Sequence, residues 1–486
     1  MLNEFAILVF VAAAGAALAW RLGVRNLWLS VPVGLMLSSF LRIVIFSTLN
    51  LVHQRWLAGF VFFGIMAVGV VYAAWKGGIG LVKNMGLGAG IAVLAVSSTR
   101  IFGFQGTPHG DSLWILSFVR LFDQAGDISL LDGHTAIKRG FAYPLLLALG
   151  PNKQYLSGLT PFIFSALACL VIWAVSELLG TEARRRVLWV AGVLFALTFS
   201  TVMPLRAIFY INGHTLTAVG MLTTAVVVAL AVRDGELTGQ NLLLACLGIF
   251  TASTSRIEGI IMCALIVLPL ISQRWISRNQ VRLLVSAGTV GLTIWLSTYH
   301  SYFINATHLP WYVFSAIVIA AGLLPSLRIF DWLRFRLVPV ALIAMATVFV
   351  AAEVVFRHQL AKGNHALWVN LINGSGRWGI FFVGLALAFA LGRMRHLTPE
   401  NKALLQISAA LVVGSLITKM LDGGQFGHPT LGRIGWSDSL NRMWLQSFAI
   451  FLVSALVGLV QNPRLWGHPN LPTIRETATT TKGEES

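Results

Sequence analysis

Charge is what this sequence lacks. Only 11% of its 486 residues are Asp, Glu, Lys or Arg, where soluble domains carry roughly a quarter. That shortage excludes an ordinary water-soluble fold. Acid is scarcest: 18 Asp and Glu stand against 35 Lys and Arg, a formal net charge of +17. In a soluble protein that balance would suggest nucleic acid. In so apolar a chain it points to loops held at an anionic leaflet, and no nucleic-acid partner is expected. Cysteine is nearly absent. Cys169, Cys246 and Cys263 each fall inside an apolar run, and no C-x-x-C spacing occurs. A disulfide framework and a cysteine metal site are both excluded. Alternating strand-like segments of about ten residues are missing too, which excludes a membrane β-barrel.

What is present is hydrophobicity: 57% of the residues are hydrophobic. A spanning helix needs about 20 apolar residues. Runs of that kind predict spans near 5–22, 27–48, 56–75, 79–98, 155–178, 187–204, 215–232, 241–254, 258–272, 281–299, 310–325, 337–356, 378–392, 403–420 and 443–461. The expected fold class is an all-α integral membrane bundle of about 13–15 transmembrane helices. The pair 241–254 and 258–272 is the shortest, joined through "STSRIEG". The opening run, "MLNEFAILVFVAAAGAALAW", has no positive stretch before it, and Arg21 and Arg25 follow it. It is expected to be a first span rather than a cleaved signal.

Basic loops orient the chain. With 99–154 outside, the cytoplasmic face collects Arg21, Arg25, Lys76, "EARRR" (182–186), "SQRWISRNQVR" (272–282), "SLRIFDWLRFR" (326–336) and "GRMRH" (392–396). The other face receives nine of the eleven histidines and six of the eight aspartates, together with the longest loops, 99–154, 357–377 and 421–442. Long loops often carry function. The division expected is an added module of spans over 1–98, an external loop over 99–154, the remaining bundle over 155–462 and a disordered cytoplasmic tail over 463–486.

The first long loop holds "GFQGTPHGDSLWILSFVRLFDQAGD" (103–127). From Ser112 it reads as an amphipathic interfacial helix, with Leu113, Trp114, Leu116, Phe118, Leu121 and Phe122 on its apolar side. Asp111 falls where that helix begins. It serves there as an N-cap, or as a carboxylate acting on a substrate presented by lipid. Lys138 and Arg139 then precede "GFAYPLLLALGP". Two cations with Tyr143 at the lipid boundary suit a phosphate at headgroup depth, and equally suit ordinary snorkelling. Arg256 and Glu258, in "STSRIEGIIM" (253–262), lie at membrane depth, where a lone charge costs about 2.5–3.5 kcal/mol. They form either an ion pair closing a tight turn or a phosphate clamp. Glu353 and Arg357, four apart, suit a structural pair. "NATH" (305–308) matches a glycosylation sequon by chance unless the host is eukaryotic.

Gly110-Asp111, the amphipathic helix ending near Gly126, and the aromatic-Pro-Leu-Leu-Leu run together resemble the first external loop of the GT-C superfamily of polytopic glycosyltransferases. "MPLRAIFYINGHTLTAVGML" (203–222) resembles that family's second external loop entering its next span. "STSRIEGIIM" is similar to its Arg-x-Glu-Gly turn, and "SDSLNRMWLQSF" (437–448) gives weaker support. The likeness covers residues 97–262, about a third of the chain.

The resemblance implies an inverting enzyme that moves a sugar from a polyprenyl-phosphate donor to a glycan, lipid or protein acceptor. It implies a site at the outer face of a bacterial plasma membrane. Asp111 would be the base, with His109 beside it or in its place. Lys138, Arg139, Arg206 and Arg256 would hold the donor phosphate, with Arg377 more remote. His214, Tyr143 and Arg442 would contact substrate. Two departures bear on metal. Ser112 follows Asp111 where many members carry a second acid, and Asn212-Gly213-His214 stands where the second loop often holds one. No cofactor is therefore expected, and a divalent metal is not favoured. Four spans precede the loop where simple members have one. The rival expectations are an O-antigen polymerase or ligase using a diphosphate donor, and a membrane transporter.

Overall fold

The computed structural model describes residues 2–52, 54–75, 77–101, 115–116, 119, 140, 142–150, 156, 158–180, 184–209, 212–256, 258–298, 311–323, 378–392, 397–424 and 439–466, with scattered positions between 325 and 370. Among the described residues there are helices and no strand. The chain is an all-α protein with several helices fit to cross a membrane.

Helices occupy fourteen of the fifteen predicted runs. We number them α1 (Leu2–Arg21), α2 (Leu27–Leu51), α3 (Ala58–Trp75), α4 (Ile79–Ile101), α5 (Ala142–Leu147), α6 (Leu159–Leu179), α7 (Arg184–Phe199), α8 (Val202–Phe209), α9 (His214–Asp234), α10 (Gly239–Ser255), α11 (Glu258–Ile271), α12 (Arg278–Thr298), α13 (Trp311–Leu323), α14 (Phe381–Gly392), α15 (Pro399–Gly424), α16 (Ser439–Gln461) and α17 (Pro463–Trp466). The run 337–356 is described only in fragments. Seven of these helices are long and apolar enough to cross a membrane, or eight if the bent pair α7–α8 counts as one span. Both counts are of the described residues. α11 and α14 are apolar but shorter, 14 and 12 residues long.

Local chemistry sets the ends. The Asn26 side chain caps α2 by accepting from the Trp28 and Leu29 amides at 3.0 and 3.3 Å. Thr238 caps α10 through the Asn241 amide, and Gly235 closes α9 in the left-handed conformation (φ 72°).

Two helices form the axis of the bundle. Within their apolar windows, 94% of α9 and 89% of α16 is buried, so both read as apolar nearly all round. Around α9 lie α6, α10, α11, α15 and α16. The α9–α10 approach is closest at Gly220 and Gly248, where a Cβ on either would strike the other's carbonyl. α1 to α4 pack on one another and join the rest through α2 and α4 against α6. α3 and α4 turn Phe60, Val68, Val71, Trp75, Ile79 and Leu94 outward, an apolar surface suited to lipid.

One end of the bundle is basic. Arg21 lies over the Tyr72 ring at 4.1 Å, Arg25 over Trp20 at 4.0 Å, Arg336 over Trp332 at 4.3 Å and Arg186 over Trp466 at 5.6 Å. Arg334 donates to the Ile276 carbonyl at 2.9 Å, and Gln280 to that of Leu237 at 2.8 Å. Arginine and aromatic side chains with one wet and one greasy side suit such a boundary.

Candidate functional site

The other end holds a cluster of buried polar groups. His214 opens α9 and is 2% exposed. Its Nδ1 lies 2.9 Å from Nε2 of Gln446, on α16. With the amide nitrogen as donor, Nδ1 is the acceptor of this contact.

Just before His214, the Asn212 Oδ1 accepts from Nη1 of Arg256 at 3.4 Å. Arg256 ends α10 in an extended conformation (φ −152°, ψ 144°). Its Nε and Nη2 grip Glu258 at 3.2 and 2.9 Å. Glu258 opens α11, where a carboxylate favours the helix N-terminus. The fork answers the cost of an arginine that is only 6% exposed. Gly259 makes the turn possible: a Cβ there would strike the Ala252 carbonyl. The ion-pair reading of "RIEG" therefore has a direct geometric basis. Three of the five guanidinium N–H groups are committed to these two partners.

The exit of loop 99–154 docks beside this turn. Gly140 has φ +61° and presses on the backbone of Thr254 and Ser255, leaving no room for a side chain. Two residues past the next peptide, Tyr143 is fully buried, and its hydroxyl lies 2.5 Å from the Thr160 hydroxyl on α6. Arg42, buried in α2, donates from Nε to the Leu145 carbonyl at 3.4 Å. Tyr143 thus anchors the loop's exit in the core instead of lining an opening. At the start of α16, Asn441 Oδ1 accepts from the Trp378 indole at 3.0 Å, both residues being fully buried. Trp378, Phe381, Phe382 and Trp444 stack into one aromatic group there.

Of the expected site residues, His214 and Arg256 are brought together through Asn212. Arg206 lies half-buried in the last turn of α8, a helix bent 87° from α7. Arg442 falls in the first turn of α16, and its side chain is outside the description. Asp111, His109, Lys138, Arg139, Arg377, Glu353, Arg357 and Asn305 lie outside the described residues. Of the stretch expected to form an interfacial helix, Ile115, Leu116 and Val119 are described; Ile115 and Val119 are buried and Leu116 is half-buried. Among the described residues, no group of three His, Cys, Asp or Glu could hold a metal ion.

Sequence reasoning missed Gln446, Asn212, Asn441 and Arg42. Gln446 and Arg42 had a signal: each is a strongly polar side chain inside an apolar run. Asn212 and Asn441 had none beyond their place near a helix start. Chemically the cluster offers amide N–H donors, an imidazole and one dehydrated arginine, groups that suit hydroxyls and phosphate oxygens. No known family model matches the chain, and no curated protein and no solved structure matches it either.

Proposed function

We propose that the chain is an inverting membrane glycosyltransferase, moving a sugar from a polyprenyl-phosphate carrier to a cell-envelope glycan, lipid or protein acceptor at the outer face of a bacterial plasma membrane. One observation carries the reading. Four segments far apart in sequence meet at the end opposite the basic one: the exit of loop 99–154 at Gly140, Asn212-Gly213-His214, the Arg256–Glu258 turn, and the start of α16. They are the four stretches whose residues resemble the family's loops and turn.

The chemistry needed is modest. The departing phosphate is already an anion, so it needs cationic stabilisation and no general acid. Arg256 supplies a positive edge through Nη1, whose long bond to Asn212 is the one an anion would replace most readily. Arg139, one peptide bond before Gly140, and Arg206 are further cations for the carrier. The acceptor hydroxyl loses its proton to the Asp111 carboxylate as it attacks the anomeric carbon, and one displacement inverts the configuration. His214, held by Gln446, orients that hydroxyl.

The test uses membranes containing the full chain and a radiolabelled polyprenyl-phosphate sugar. The wild type should form glycosylated product. Asp111→Asn should fold yet lose transfer by about 10²–10⁴-fold. Undiminished product from that variant removes Asp111 as the base. Turnover only of a diphosphate-linked donor would favour a polymerase or ligase, and flux across liposomes with no covalent product a transporter.

A further inference from the structure

Buried hydroxyls in helices usually turn back onto their own backbone. Ser38, Thr217, Thr223, Thr224, Thr254, Ser255 and Ser415 all do so, each donating to the carbonyl four residues earlier. Ser408, Ser447 and Ser454 do not. Their buried Oγ atoms have no hydrogen-bond partner among the described residues. Asn401, fully buried, lacks one there on both Oδ1 and Nδ2.

These residues share a seam. Asn401, Ser408 and Ser415 are spaced seven apart on α15, and Gln461, Ser454 and Ser447 seven apart on α16. A step of seven drifts only about 20° around a helix, so each set keeps to one face. The two faces meet. Gln461 donates to Glu400 Oε1 at 3.0 Å and accepts from Thr398 at 3.0 Å, while a Cβ on Gly458 would lie 3.8 Å from Asn401 Nδ2. From that register, one step of seven along α15 and back along antiparallel α16 sets Ser408 opposite Ser454. A second step sets Ser415 opposite Ser447. Leu404 and Leu411 occupy the intervening buried levels of α15. A pair of serine side chains is smaller than the leucines of the neighbouring levels. At the far end, Gln446 adjoins Ser447. Its Oε1 has no partner among the described residues, while its Nε2 meets His214. α9 packs against both α15 and α16.

We propose that this α9–α15–α16 seam holds a file of ordered water running from Glu400 and Asn401 to Gln446 and His214. Water both donates and accepts, as lone serine hydroxyls and an amide unpartnered at both ends require, and buried water typically makes about three such bonds. Between Glu400 at one end and His214 at the other, the groups along the file are serine hydroxyls and amides, which suits water over an ion. The inference stands apart from any reading of the reaction.

Hydroxyl radicals generated from bound water by brief X-ray pulses test it directly, with oxidation read by mass spectrometry on the nanodisc-embedded chain. Leu404, Leu411, Leu147 and Leu170 are all fully buried. Oxidation of Leu404 and Leu411 should exceed that of Leu147 and Leu170 by about fivefold or more if water lies beside them. In the double variant Ser408→Val, Ser454→Val the excess should vanish, with Leu170 unchanged. Equal labelling of all four leucines in the wild type overturns the proposal, and that result needs no variant to fold. Excess labelling that persists in the folded double variant overturns it too.

Discussion

Arg233 and Arg256, at opposite ends of the bundle, are used in opposite ways. Arg233 chelates Asp234 with side chains 34% and 41% exposed. That pair keeps much of its water, so the contact adds little and removing it frees nothing that is buried. At the other end Arg256 is dehydrated, and its pairing with Glu258 leaves the two side chains 7% and 19% exposed. There the pair offsets a desolvation cost that neither partner could bear alone. The same fork of N–H groups decorates one end and holds the other together.

Deleting each arginine gives the sharpest break. Arg256→Met removes the guanidinium that Glu258 and Asn212 share and should lower stability by about 3–5 kcal/mol. Arg233→Ala should cost under about 1 kcal/mol. Adding Glu258→Gln to Arg256→Met should recover most of the loss, because no buried charge then stands alone. Thermal unfolding in one detergent checks all three. Equal losses for Arg256→Met and Arg233→Ala would end the contrast.

The contrast also runs from the bundle's axis to its rim. Gly220 on α9 meets the Gly248 carbonyl, so Gly220→Ala forces α9 and α10 apart and should cost about 1–3 kcal/mol. Gly86 on α4 has nothing near the place a Cβ would take. Gly86→Ala should therefore stabilise by about 0.5–1 kcal/mol through helix propensity. Matching signs in the two melting curves would contradict the close α9–α10 approach.

Hydropathy alone placed most helices, because apolar length is a property of a single segment. α1 to α4 and α6 fall within a few residues of their predicted runs. It could not foresee the bend of 87° between α7 and α8 inside one apolar stretch. The site was legible where an unusual residue sat at membrane depth, as with Arg256. Its partners were not, since Asn212 and Gln446 become meaningful only when α9, α10 and α16 meet. An aromatic before a proline, as at Tyr143, suits an interface as well as a core. Its fate was decided by Thr160, which belongs to a different helix. Asp111, the base in the proposed reaction, lies outside the described residues and is tested by substitution alone.

The mildest comparison sets glutamine against glutamine. Gln446 is fully buried and bonds the His214 ring at 2.9 Å. Gln240, at the basic end, is exposed and reaches the Gly23 carbonyl at 3.3 Å. Gln446→Leu removes a buried donor and leaves Nδ1 unanswered, so it should cost about 1–2 kcal/mol. Gln240→Leu should stay within about 0.5 kcal/mol, as surface changes do. Stability alone would not separate packing from the hydrogen bond, but the imidazole does. With Gln446 in place, ¹⁵N spectra of His214 should show an unprotonated Nδ1 and a protonated Nε2. Gln446→Leu frees the ring to populate both tautomers. A wild-type spectrum with the proton on Nδ1 would mean that the ring donates to the Gln446 oxygen, and the acceptor face assigned to His214 would be the wrong one.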